Sequence, residues 1–357
     1  MSNQRKGNQF LVVKGIEGLG NRLMCLADAI DYCKKTNRTL YVDWSDGMFS
    51  KKGENAFPMI FAIKNLPCVY YKEEVTGATY YPEYTKYLPF DFKTRDYFTS
   101  YHYRESNFFV RKIIDLGSSF VHKFCSENMF KRYQILWYHR CAKDKSVRKK
   151  MKRHWGDIAT FGSNLPSDRK EDIVFYMDFA PGYESETIRN YIGLKPEFEK
   201  KVTDFSCKFN LAKGTIGVHI RDTDKQNDGK YMELIVYLKR FMEEHNANKV
   251  YLATDQQTVQ DTFKQTFGND LLIYPKYMPP IESGSELGMH TWAEQSGEAD
   301  LCFRMYQESV MDMWLLSKTE YLFYQGNSTF SMISRDIKND DKCFDWQKMM
   351  CGEYRSK

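Results

Sequence analysis

The first clear pattern in the chain is an apolar run, Phe10-Leu11-Val12-Val13, short enough for a buried strand. A Gly-rich turn comes next, Gly15-Ile16-Glu17-Gly18-Leu19-Gly20, and then Leu23, Ala27 and Ile30 recur at helical spacing. Asn37-Arg38 breaks that helix before a second strand, Thr39 to Trp44. A strand, helix and strand in this order predict a parallel pair. The later part of the chain repeats the scheme. Strands are predicted at Ile216 to Ile220, Lys249 to Thr254, Leu271 to Tyr274 and Tyr321 to Tyr324. Between them lie helices at Met232 to Glu244, Val259 to Phe267 and Arg304 to Ser317. Ser328 suits the N-cap of a last short helix. The alternation predicts a doubly wound α/β fold, whose ligands sit beyond the carboxyl ends of the strands.

Residues 50–180 are aromatic and basic, with only short patterned pieces, no repeat and no low-complexity tract. Pro181-Gly182 and Gly193-Leu194-Lys195-Pro196 are the clearest punctuation in the middle of the chain. A boundary between them divides the chain into domains at 1–185 and 186–357. A length of 357 residues suits two separate cores.

Composition narrows the class. The chain is 42% hydrophobic and 16% aromatic, as a folded globule is, which excludes collagen-like and disordered chains. It has no apolar stretch of about 18 residues and no secretory leader, so the expectation is a cytoplasmic protein without a transmembrane segment. Nine scattered cysteines without a Cys-x-x-Cys pair argue against both a zinc site and a disulfide framework. The net charge of +5 comes from one segment, Arg140 to Arg153, with eight Lys or Arg against one Asp. A single basic run reads as a solvated face or a patch for an anionic partner, not as a nucleic-acid surface.

The densest candidate chemistry is His219-Ile220-Arg221-Asp222-Thr223-Asp224-Lys225. A strand places His219 and Arg221 on one face. The planar fork of Arg221 suits a diphosphate, and a surface salt bridge to a nearby Asp is the alternative. Asp222-Thr223-Asp224 has the Asp-x-Asp spacing of metal-dependent transferases, a pattern frequent by chance, so no metal is assigned. Asp312 lies among apolar residues and matches the paired donors of guanine, unless it faces solvent. Ser328-Thr329-Phe330-Ser331 opens a helix, where a phosphate binds readily and where plain capping is the alternative. Asp255 comes after a strand and either accepts from ribose hydroxyls or caps a helix. The glycines before Asn21-Arg22 leave backbone N–H groups open to a phosphate or sugar.

Together these segments resemble the α1,6-fucosyltransferase family, most closely its nodulation-type members, with core and protein O-fucosyltransferases further off. The resemblance rests on Gly18 to Leu23, Arg38 to Trp44, Gly217 to Arg221, Thr223 to Lys225, Ala253 to Asp255, and the separation of Asp312 from Ser328. It covers roughly 10–45 and 190–335. It implies a GT-B fold of two Rossmann-like domains facing a cleft, the first on the acceptor side and the second holding the nucleotide sugar. It also implies GDP-fucose as donor, a glycan acceptor on an oligosaccharide or glycoprotein, inversion, and no cofactor or essential metal. By carry-over Arg221 binds the β-phosphate, His219 and Asp312 the guanosine, and Asp255 and the Ser328-Thr329-Phe330 segment other parts of the donor. Gly20, Asn21 and Arg22 line the cleft from the N-terminal side. Arg221 and Asp224 are the expected catalytic groups. Asp228, Glu286, Glu294 and Glu298 are further candidates for the general base. At one place the chain departs from the family: Asp222 stands where a second Arg is usual. A carboxylate there repels a diphosphate unless it points away or contacts another group. The rival readings are the same fold with another nucleotide sugar, and a binding protein without turnover.

Overall fold

The computed structural model describes residues 9–81, 169–178, 182–224, 229–285 and 288–351, with isolated positions between 85 and 123. The basic run at Arg140 to Arg153, Lys225, Asp228 and Glu286 lie outside the described residues.

Two five-stranded parallel sheets organise the chain. In the first, β1 (Phe10–Lys14) is central. It leads through α1 (Leu19–Thr36) to β2 (Thr39–Asp43), which pairs with it in parallel. Asn37, at φ 55°, ends α1 in the left-handed conformation that asparagine tolerates. A short α2 (Phe57–Ile60) runs into β3 (Phe61–Ile63), and β4 (Cys68–Val69) extends the sheet beside β2. β5 (Tyr80–Tyr81) and β6 (Ile173–Tyr176) complete the order β4-β2-β1-β6-β5. Both faces of β1 are covered. Leu11 and Val13 join the cluster under α1, while Phe10 and Val12 pack with Tyr41, Ile173 and Phe175 on the other side. A near-continuous apolar run is what a parallel strand buried on both faces requires.

The passage to the second sheet differs from the expectation. Pro196 reads as a breaker, yet it opens a helix. After α3 (Ser185–Tyr191) and β7 (Ile192–Leu194), α4 (Pro196–Phe209) begins with the proline in its first turn. There the missing N–H costs nothing and the fixed φ already suits the helix. β7 pairs antiparallel with β3, so main-chain hydrogen bonds tie this segment back to residues 61–63.

The second sheet is built on β8 (Thr215–Ile220). Beyond it lie α5 (Tyr231–His245), β9 (Lys249–Thr254), α6 (Gln257–Phe267) and β10 (Leu271–Leu272). Then come α7 (Met289–Ser296), α8 (Ala299–Lys318), β11 (Tyr321–Tyr324), α9 (Thr329–Lys338), β12 (Cys343–Asp345) and α10 (Trp346–Met350). The order is β10-β9-β8-β11-β12 and every pair is parallel. Ile216, Val218 and Ile220 sit in one apolar cluster. The intervening Gly217 faces Thr319, whose hydroxyl oxygen stands too close for a Cβ to fit between them. That face of β8 therefore admits no side chain at 217 and delivers His219, two residues on, to the strand end. The seven cysteines among the described residues are all free thiols. No helix among the described residues is long and apolar enough to cross a membrane.

Candidate functional site

The carboxyl ends of β8 and β11 point towards the glycine turn at the end of β1. Gly20, in the first turn of α1, lies directly against the start of α9. A Cβ on Gly20 would fall 2.5 Å from the carbonyl carbon of Thr329 and 2.6 Å from the nitrogen of Phe330. The N-termini of two helices, one from each sheet, thus meet at a residue without a side chain, with Thr329 Oγ1 2.7 Å from the same point. Each helix start carries unbonded N–H groups and a partial positive charge, so this junction favours an anion. Ser328, the N-cap of α9, is fully buried, and its Oγ has no hydrogen-bond partner among the described residues. A helix cap that caps nothing leaves its hydroxyl available to a ligand.

His219 and Arg221 leave β8 beside this junction. The His219 ring stacks on Phe330 with centroids 4.9 Å apart, which sets the imidazole against the start of α9. Gln325, at the end of β11, accepts the Arg221 N–H at 2.8 Å and so fixes the exit of β8. The Arg221 guanidinium forms a two-pronged pair with Asp224, Nε to Oδ1 at 2.7 Å and Nη2 to Oδ2 at 2.6 Å. Burial works to raise the Asp224 carboxyl, but the guanidinium outweighs it and holds the group below the ordinary carboxylate range. The fork of Arg221 therefore already grips an oxyanion, with the geometry it would use for a phosphate.

A brace lies behind this pair. Asp255 accepts the Asp222 N–H at 2.8 Å and the Thr223 hydroxyl at 2.7 Å. Burial pushes the Asp255 carboxyl up against the pull of these hydrogen bonds. Asp222 is itself buried, and its carboxylate accepts from Ser283 Oγ at 2.7 Å. It contacts another group, the condition that its position in the sequence raises. Asp312 is buried in α8 between Tyr251, which donates to it at 2.6 Å, and Lys276 at 2.5 Å. The carboxylate expected to read guanine already has two donors here.

Comparison with known proteins bears on the fold. No family model matches the chain, and no curated protein is significantly similar to it. Among solved structures, the fucosyltransferase NodZ from Bradyrhizobium superposes with a TM-score of 0.55 at 16% identity, over 92% of this chain and 93% of that one. A NodZ α-1,6-fucosyltransferase soaked with GDP-fucose gives 0.54 at 17% identity, over 93% of each chain. One co-crystallised with GDP gives 0.54 at 16% identity, over 92% of each. The chain has the GT-B fold of these fucosyltransferases.

Within that fold the structure sorts the residues singled out in the sequence. It gathers Gly20, His219, Arg221, Asp224, Ser328, Thr329 and Phe330 at the meeting of the two sheets. Asn21 is buried in the same turn of α1. Arg22 is fully buried and turned inward, bound to Asp46 at 2.6 Å and to the Glu17 carbonyl at 2.9 Å. It holds the glycine turn from behind. Asp255 braces the Asp222-Thr223 segment, and Asp312 is bound to Tyr251 and Lys276. Two groups missed in the sequence stand in it. Glu17 lies between the glycines, and its carboxylate is 3.3 Å from Nε2 of His290, the second residue of α7. Their signal was weak: an acid in a turn read for its glycines, and a lone histidine in a long loop.

Proposed function

We propose that this protein is an inverting, metal-independent fucosyltransferase that moves L-fucose from GDP-fucose to a glycan acceptor, an oligosaccharide or the glycan of a glycoprotein. The observation that carries this reading is the junction at Gly20 and Ser328, where two helix N-termini meet beside a buried unpartnered hydroxyl, with Arg221 leaving the end of the neighbouring strand β8. That set of donors fits a diphosphate. The NodZ structures holding GDP-fucose and GDP supply the nucleotide by analogy of fold.

In this reading residues 1–185 and 186–357 form the acceptor-side and donor domains, each built on one parallel sheet. The incoming diphosphate displaces Asp224 from Arg221. As the bond from the anomeric carbon to the β-phosphate oxygen breaks, its electron pair moves onto GDP. Arg221 and the helix ends stabilise that growing charge more than they stabilise the bound ground state. A fixed guanidinium supplies the positive charge that a cation supplies elsewhere. His219, stacked on Phe330, borders the nucleotide.

Isothermal titration tests the donor: GDP binds and UDP and dTDP do not. Binding of UDP or dTDP in place of GDP would refute the assignment. The companion test is Arg221→Ala, which keeps the unfolding temperature and loses roughly 10²–10³ in turnover, as removal of one oxyanion donor does.

A further inference from the structure

The groups placed so far leave the proton of the acceptor hydroxyl without an assigned taker. Asp224 is the alternative taker once the diphosphate displaces it from Arg221. We propose, resting on the transferase reading above, that His290, oriented by Glu17, is the general base that takes this proton.

The pair has the form a base needs. His290 Nε2 lies 3.3 Å from Glu17 Oε2. With Nε2–H given to the carboxylate, the lone pair falls on Nδ1. That nitrogen lies 3.2 Å from the point a Cβ on Gly18 would occupy, so it faces a residue with no side chain. The carboxylate fixes the tautomer and stabilises the imidazolium as it forms. Both side chains stay within reach of a ligand, at 18% and 15% exposure.

The pair also lies where the reaction requires it. A point 3.2 Å from Arg221 Nη2, 3.2 Å from His290 Cε1 and 3.4 Å from Asp224 Oδ2 marks the absent Cβ of Gly288. The phosphate-gripping fork and the imidazole thus flank one glycine, close enough for a single sugar unit to touch both. In-line displacement puts the leaving diphosphate and the entering oxygen on opposite faces of one carbon, with the reacting atoms roughly 3–3.5 Å apart. The base must reach that oxygen. The backbone adds an independent sign. Among the described residues six non-glycine positions have positive φ; five are asparagines, and the sixth is Glu17 at 58°. Asparagine tolerates this conformation, and glutamate adopts it at a cost that functional positions carry.

In the step, the acceptor O–H bond breaks and its proton passes to Nδ1. The oxygen forms the new bond to the anomeric carbon. The bond from that carbon to the β-phosphate oxygen breaks, and its electron pair leaves with GDP. His290 then gives the proton to water. Glu17 acts through His290 and is a positioning residue.

The test uses full-length His290→Ala and Glu17→Gln, measuring GDP release from GDP-fucose with water as acceptor, with and without azide, beside calorimetric GDP binding. Azide has no proton to lose and needs no base. The expected result is unchanged GDP binding and a fall in release of about 10²–10⁴-fold in His290→Ala, smaller in Glu17→Gln. Azide restores release in both and yields fucosyl azide, which repair of a merely structural defect would not do. His290→Gln replaces the alanine variant if that one does not fold. Normal release into water by the histidine variant, or a loss that azide does not repair, overturns the proposal. A wild-type chain that binds no GDP overturns the donor reading instead, and this proposal with it.

Discussion

Arg22 and Arg221 make the same chemical pair with an aspartate in opposite settings. Both come after the first strand of a parallel sheet, and both bind a carboxylate at 2.6 Å. Arg22 and Asp46 are 0% and 6% exposed, whereas Arg221 and Asp224 are 19% and 24% exposed. The first guanidinium also lies over the rings of Trp44 and Phe49 and holds the Glu17 carbonyl. It cannot leave without exposing a buried charge. In the proposed function the second exchanges one oxyanion for another. Whether an arginine is a strut or a ligand grip is decided by the freedom of its fork, which the residue type and its place after a strand do not reveal.

The strongest way to break this contrast is Arg22→Ala. It strands Asp46 in the interior and should destabilise the fold by about 3–5 kcal/mol, read from denaturant unfolding. A loss of GDP affinity without loss of stability would make Arg22 a ligand group after all. Next is Ser328→Ala. The hydroxyl makes no hydrogen bond in the unliganded fold, so stability should hold or rise slightly, while GDP affinity falls by about 1.5–3 kcal/mol, the worth of a hydrogen bond to a charged group. Calorimetry beside thermal unfolding separates the two. The smallest effect belongs to Asp224→Asn, which frees the fork of Arg221. GDP should bind more tightly by about 0.2–1 kcal/mol, the usual worth of a partly exposed pair. Weaker binding would show that Asp224 helps to hold the donor.

Acid sharpens the same comparison. Burial alone would raise Asp46, and Arg22 outweighs it, so the carboxyl is held below its ordinary value. A depressed carboxylate stabilises the fold above the unfolded-state value of about 3.9, and that stability is lost as pH falls through the folded-state value. The unfolding temperature of the wild type should therefore fall below about pH 4, and Arg22→Ala should lack this pair's share of the fall.

Most of the second sheet was legible in the sequence. The strands at 249–254 and 321–324 run as predicted, and Ser328 is the N-cap of α9. Apolar periodicity there is strong and each strand is bounded by turn residues. β6 was not legible. Ile173 to Tyr176 is a four-residue run after a long unpatterned stretch, and only its pairing with β1 makes it a strand. α4 was hidden by reading Pro196 as an end when it is a beginning. At the site, Arg221, His219 and Ser328 could be found because they stand at or just past strand ends. The roles of Asp312 and Asp255 could not be read, because their partners are distant: Tyr251 is 61 residues from Asp312, and Asp222 is 33 from Asp255. His290 and Glu17 are 273 residues apart, and no local pattern joins them.

Gly20 has one more consequence. Where it meets Thr329 and Phe330 the two nearest atoms are main chain, which no rotamer can move. The meeting of the two helix starts is therefore gauged by covalent geometry, where side-chain packing would leave room to adjust. Their spacing is set by a missing methyl group, and adding one at that position would widen the gap between the two sheets as a shim does.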